Sequence, residues 1–286
     1  MNNKIKPYIL IAPTAILLLF IMGCGIINCI LQSLGYFPQI GFNEINFSYY
    51  KEILRETSFL KSLLFSLNTS LISSLISVIL GVFLAYLLAQ DKYSNFRNTI
   101  LNLPMIIPHI VVVFFMVTIF SQSGIISRLL YNLGIISDSS QFINLISDKN
   151  GIGIILVYLY KGIPFVAITT YNILKNINEK LEVVALNLGA SKLQSFRYIT
   201  LPLAMPSIIS SFIILFTFAF GSYEVPFLIG PTTPKALSVL AYNNYISTDF
   251  NQKALSMVIN IILSGISFVL LIIYNKVFSK MYKYKL

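Results

Sequence analysis

Six continuous apolar runs, at roughly 8–30, 62–89, 101–120, 152–174, 203–229 and 254–275, restrict what this chain can fold into. Each is about 20 residues or longer, the length a helix needs to cross the hydrocarbon layer of a bilayer. In lipid every backbone polar group must be bonded inside the structure, which leaves helices or a closed barrel. The runs lack the period-two alternation of barrel strands. An all-α membrane protein with six transmembrane helices is therefore expected. Composition agrees: 56% of residues are hydrophobic and only 10% charged, too few to cover a water-facing surface. The runs at 62–89 and 203–229 exceed the bilayer and are expected to tilt or extend past it. No stretch reads as an interdomain linker, so residues 1–286 are expected to form a single transmembrane domain.

The net charge of +10 invites a nucleic-acid reading, but its distribution points elsewhere. With six spans, both termini and the loops 90–100 and 175–202 share one side. That side carries twelve Lys and Arg, among them Lys4, Lys92, Lys192, Arg197 and Lys285, against Asp91, Glu179 and Glu182. The opposite side carries seven basic and six acidic residues. Basic residues accumulate on the cytoplasmic side, so both termini are expected inside a bacterial cytoplasmic membrane, and no nucleic acid is expected as partner.

Cys24 and Cys29, five residues apart on one helix, face different directions and are poorly placed to bridge each other. The stretch Ile21-Met22-Gly23-Cys24 loosely matches a lipoprotein signal. Met22 is bulky for that role and the apolar run continues past the cysteine, so an uncleaved first helix is expected. There is no G-x-x-x-x-G-K-[ST] stretch, and the single histidine excludes the paired-histidine zinc helix. No catalytic site and no metal site are expected. His109 follows Pro104 and Pro108, which predict a kinked start to the third span.

The two outer segments, 31–61 and 121–151, are longer than the inner loop 90–100 and more polar than the spans they join. A helical stretch is expected around Tyr49 to Arg55, and an amphipathic helix through Ile125 to Leu133, ending at Gly134.

The loop 175–202 is the most informative segment. Leu181, Val184, Ala185 and Leu188 form one apolar stripe on a helix expected over 177–188. Gly189 suits its C-terminus and Ser191 can cap a second helix carrying Leu193, Phe196 and Ile199. Leu201-Pro202 is expected to break that helix and start the fifth span. A short helix–turn–helix along the membrane surface results, either an ordinary interfacial connector or a mechanical coupling element.

The run Glu182-Val-Val-Ala-Leu-Asn-Leu-Gly189-Ala190-Ser191, followed by Phe196, Ile199, Leu201 and Pro202, resembles the EAA loop of ABC importer permeases. The family pattern is E-A-A, three residues, G, nine residues, then I-x-L-P. In register from Gly189, the family glutamate is replaced by Val183, with Glu182 one residue early. A looser resemblance covers about residues 60–275. It implies that the loop docks into a groove of a cytoplasmic ATP-binding subunit, present as a dimer. That partner would hydrolyse ATP with Mg, and this chain would bind no cofactor itself. A second permease subunit, an extracytoplasmic substrate-binding protein and the lipid bilayer complete the implied partners.

Two charges lie inside apolar runs: Lys161 and Glu224. Intramembrane charges are costly and usually pair or face a cavity. They either pair with each other or line the path, with Ser222 and Tyr223 beside Glu224. Gly221 and Pro226 would let the helix unwind there. The stretch Phe220-Gly-Ser-Tyr-Glu-Val-Pro-Phe227 is similar to permeases of the polyamine, iron and phosphonate branch, and Glu224 would favour a cationic solute. The competing reading is an ion-coupled secondary transporter, which would need an internal repeat and more intramembrane ionisable residues.

Overall fold

The computed structural model describes residues 6–38, 41–90, 95–176 and 179–283. Side chains are described except at 6–9, 90, 95–98, 176, 179–180, 182–183 and 277–283. Lys4, Asp91, Lys92 and Lys285, named above, and residues 177–178 at the start of the helix expected over 177–188, lie outside the described residues. The fold is all-helical. In order it comprises α1 (Lys6–Ser33), α2 (Ser48–Arg55), α3 (Thr57–Gln90), α4 (Asn95–Ile106), α5 (His109–Phe120), α6 (Ile125–Asn132) and α7 (Ile152–Asn176). Then follow α8 (Glu179–Asn187), α9 (Lys192–Ser195), α10 (Leu201–Gly221), α11 (Glu224–Ile229), α12 (Leu237–Tyr245) and α13 (Phe250–Lys283). Six of the described helical segments are long and apolar enough to cross a membrane, each overlapping one apolar run, although the third, His109–Asn132, starts later than the expected 101–120 and extends through α6. The helices α2 and α6 form where the outer segments predicted them.

Two spans differ from the expected continuous rods. The third is interrupted at Ile107–Pro108, between α4 and α5, because Pro108 has no N–H to continue the ladder. The fifth stops at Gly221, turns extended at Ser222 (φ −67°, ψ 135°) and resumes as the six-residue α11. That is the unwinding the Gly221 and Pro226 pattern predicted.

The chain divides into two compact units. In the first, the chain up to Leu60 combines with Leu240–Gly265. Here Ser33 and Tyr50 share a 2.8 Å hydroxyl contact, Tyr49 donates to Asn251 Oδ1 at 3.1 Å, and Ser256 donates to Ala241 O at 2.6 Å. The membrane-length part of α1 buries none of its apolar window inside the chain.

The second unit holds Lys61–Val239 and the chain from Ile266. Its seam is a hydroxyl ladder on α3, where Ser62, Ser66, Thr69, Ser70, Ser73, Ser74 and Ser77 are all buried. Serine hydroxyls are small and bond back to their own helix, so they can be buried in lipid without an unsatisfied donor. Ser70 donates to Ser66 O at 2.6 Å and Ser74 to Ser70 O at 2.7 Å. Beyond the ladder, glycines bring α3 and α7 into contact. A Cβ on Gly81 would meet Val166 Cβ at 2.5 Å and Ile163 O at 2.9 Å, and one on Gly162 would collide with Ser77 Oγ. Two apolar clusters flank the seam. One joins Val112, Val157, Ala219 and Ile229; the other joins Ala85, Tyr171, Leu174, Ala204 and Ile208.

Candidate functional site: the hairpin after the fourth span and the cavity beside the broken third span

The segment between α7 and α10 folds as the sequence predicts at its turn. Gly189 takes φ +90°, a region where a Cβ is strained. Gly189 N–H donates to Leu186 O and Ala190 N–H to Ala185 O, both at 3.0 Å. These two bonds are the Schellman closure, which satisfies the last carbonyls of α8. Ser191 then caps α9 reciprocally: Gln194 N–H donates to Ser191 Oγ at 3.2 Å, and Ser191 N–H to Gln194 Oε1 at 2.7 Å. The hairpin's shape is thus set by bonds among neighbours.

Its exit differs from expectation. Leu201-Pro202 begins α10 with the proline in its first turn, as expected, but does not break the helix, because α9 runs into α10 through a π-helical turn at Phe196–Thr200. Leu201 N–H reaches back five residues to Phe196 O. Pro202 supplies no donor to Tyr198, and the wider turn absorbs that missing bond. The hairpin is consequently continuous with α10 rather than hinged to it. It is also anchored laterally: the Phe196 ring packs on Tyr86 of α3, centroids 4.3 Å apart, and Leu201 packs on the cluster around Ala204 and Leu174.

Of the predicted stripe, Ala185 is buried, whereas Leu181, Val184 and Leu188 are exposed, Leu188 to 83%. Leu193 and Tyr198 are exposed beside them. An open cavity of about 360 Å³ lies here, lined by Ala185, Leu188, Gly189, Ala190, Gln194, Tyr198 and Ile199. The backbones of Glu182 and Val183 lie in α8, and their side chains fall outside the described residues.

The second feature is a cavity of about 240 Å³ among α3, α4, α5, α7 and α10, lined by Ser73, Ser77, Met105, His109, Tyr158, Lys161 and Phe218 among others. Lys161 Nζ donates to Ile107 O at 2.8 Å and approaches His109 Nδ1 at 3.4 Å. An ammonium has no lone pair, so that contact is a hydrogen bond only with Nδ1 accepting and the imidazole proton on Nε2. The His109 ring stacks on Phe218, centroids 4.9 Å apart. Lys161 is thus engaged with α4 and α5, and among the described residues no ion pair joins it to Glu224. Glu224 is exposed at the start of α11. Ser222 and Tyr223 occupy the break between α10 and α11. Ser238 donates to Ser222 O at 2.6 Å, and Tyr223 stacks on Phe227.

Sequence reasoning missed the hydroxyl ladder that floors this cavity. Its signal was present as serines every fourth residue at 62, 66, 70 and 74. Around α6 and the segments flanking it, a polar cavity of about 510 Å³ is lined by Gln122, Arg128, Asn132 and Asp138 among others. The Asp138 carboxylate accepts from Ser140 N–H at 2.7 Å, which holds it below the usual carboxylate range.

Among the described residues, no group of three or more His, Cys, Asp or Glu is placed to hold a metal ion.

Residues 77–283 match the binding-protein-dependent transport system inner membrane components, and the chain belongs to that family. It is a multi-pass membrane protein of that class. It is 31% identical over 135 residues to the inner membrane ABC transporter permease protein YdcU of Escherichia coli K12, covering 45% of this chain and 43% of that one. It is 32% identical over 157 residues to the molybdate/tungstate transport system permease protein WtpB of Methanocaldococcus jannaschii, covering 54% and 57%. It is 29% identical over 127 residues to the spermidine/putrescine transport system permease protein PotB of Haemophilus influenzae, covering 44% and 41%. The chain spans about half the length of the curated relatives it matches. In fold it is similar to a chain of a bacterial ABC transporter involved in the import of the acidic polysaccharide alginate, with TM-score 0.76, 20% identity and 97% and 98% of the chains covered.

Proposed function

We propose that this chain is one permease subunit of an ABC importer, forming half of a path for a small polar solute. The observation that carries the reading is the α8–Gly189–α9 hairpin: rigidly capped, continuous with a transmembrane helix, and presenting Leu181, Val184 and Leu188 to the outside. An exposed apolar stripe of this kind needs a partner surface. The partner is a cytoplasmic ATPase dimer that hydrolyses ATP with Mg. Its closure moves the hairpin and α10 together, shifting the permease between inward-facing and outward-facing states. A second permease subunit completes the path, and an extracytoplasmic binding protein delivers solute to the opposite face. The excess of Lys and Arg supports a cytoplasmic location for both termini and the hairpin.

For the solute, the stretch 220–227 supports a polyamine, with iron or phosphonate as alternatives and Glu224, Tyr223 and Ser222 at the path. The names of the relatives span polyamine and oxyanion transport, so the solute class is the finer part of the proposal.

The test is co-purification. The chain is expressed together with a candidate ATPase, second permease and binding protein, and solubilised from membranes. A stoichiometric complex whose ATP hydrolysis rises with loaded binding protein is expected. Intact, monodisperse permease that never retains an ATPase would sink the proposal.

A further inference from the structure

The break in the third span is bridged by one side chain from another helix. In an unbroken helix the Ile107 carbonyl would accept from residue 111. Instead Val111 N–H donates to Pro108 O at 3.1 Å and Val112 N–H to the same oxygen at 3.3 Å. Ile107 O is left with no helical donor, a costly state inside a bilayer. Lys161 fills the vacancy at 2.8 Å, and the same ammonium reaches Nδ1 of His109, the first residue of α5, at 3.4 Å. One group therefore binds the first residue of the break, directly after α4, and the first residue of α5. A serine or threonine hydroxyl, with a single O–H, cannot donate to two acceptors at once; an ammonium, with three N–H, can. Lys161 stands on α7, which packs against both α4 and α5. The cavity of about 240 Å³ opens beside this tether, with Lys161 and His109 in its wall.

We propose that Lys161 is a positioning residue: by tying Ile107 to His109 across the break, it fixes the angle between α4 and α5 and hence the shape of the adjoining cavity. That the cavity serves solute passage rests on the permease reading; the tether does not. The role asks for a donor of similar reach and not for Glu224 as partner. Arginine, with five N–H groups and the cavity beside it for room, would substitute. Methionine, similar in length and without a donor, would not.

The tether is tested in the full-length chain in nanodiscs. Spin labels go at exposed Leu103 on α4 and Phe114 on α5, in a Cys24→Ser, Cys29→Ser background. A narrow label-to-label distance distribution is expected for the parent, a broadened or displaced one for Lys161→Met, and a narrow one again for Lys161→Arg. In the assembled transporter, Lys161→Met is expected to lower the maximal uptake rate about tenfold or more, the scale of a lost charge-assisted hydrogen bond, with the half-saturating solute concentration little changed. Lys161→Arg should recover most of that rate. A parent-like distance distribution in Lys161→Met overturns the tether, as does a loss of order that Lys161→Arg fails to restore. If the distances behave as expected but no assembled complex hydrolyses ATP or moves solute, the permease reading falls and the tether stands. Robust parental uptake that is unchanged in Lys161→Met leaves the permease reading intact and removes the role of Lys161 in passage.

Discussion

Replacing Gly189 with proline is expected to bring solute uptake to background and to weaken ATPase association by more than about tenfold. The magnitude follows from the local geometry. Proline is locked near φ −65° and cannot adopt the +90° found here. It also removes the N–H that donates to Leu186 O. A proline at a position whose φ it cannot adopt and whose N–H was bonded costs more than about 1 kcal/mol, which a short surface hairpin avoids by changing shape. Reshaping separates the exposed Leu181, Val184 and Leu188 stripe from its present direction, while the buried clusters of the second unit keep their contacts. Membrane abundance and the thermal unfolding midpoint should therefore stay near parental values. Gly189→Asn, which tolerates the left-handed region better than other residues, should retain much of the activity. Uptake and ATPase retention are the readouts. Parental values for both in the proline variant would mean the turn has no part in coupling.

Gly81→Leu is expected to abolish recovery of folded, monodisperse protein. The new Cβ alone would sit 2.5 Å from Val166 Cβ and 2.9 Å from Ile163 O. Val166 is fully buried and Ile163 O is backbone, so neither can step aside as the tip of a long side chain would. Overpacking typically costs about 1–3 kcal/mol for an added methylene or two, and leucine adds three carbons beyond the Cβ. Gly81→Ala isolates the first of these clashes. Its gain in helix propensity, about 1 kcal/mol, partly offsets the overlap, so a lowered unfolding midpoint in detergent is expected rather than loss of the protein. Gly265→Leu is the control, since a Cβ added there would have nothing within 4 Å and the residue is exposed. It should behave as the parent. Size-exclusion profiles and unfolding midpoints decide the matter, and a well-folded Gly81→Leu would show that α3 and α7 do not meet at this glycine.

What could be read from the residues follows from the range of the interactions involved. Hydrophobic length defines the six spans, and it needs no knowledge of tertiary contacts. The Gly189 turn and the Ser191 cap were equally accessible, because every bond in them is made within five residues. Proline gave less. Pro202 suggested a break, yet the chain stays helical by widening one turn. Pro104 and Pro108 suggested a kink, but nothing local indicates that Lys161, 54 positions away from Ile107, closes it. The same holds for Gly81 and Gly162, whose meaning lies in Val166 and Ser77 on the facing helix. The side of the membrane followed from the Lys and Arg distribution, whereas the surface that covers the exposed part of the hairpin stripe belongs to a partner.

The most direct measurement of the central claim is site-directed cross-linking in the assembled transporter. Leu188→Cys and, separately, Leu133→Cys are introduced in the Cys24→Ser, Cys29→Ser background, both at exposed positions. With a short thiol-to-amine reagent, Leu188→Cys is predicted to cross-link to the ATPase subunit, with a yield that changes between nucleotide-free and ATP-bound states, whereas Leu133→Cys is predicted to cross-link to it in neither. An ATPase adduct at Leu133→Cys, or none at Leu188→Cys in any nucleotide state, would contradict the assignment of the α8–Gly189–α9 hairpin as the coupling element.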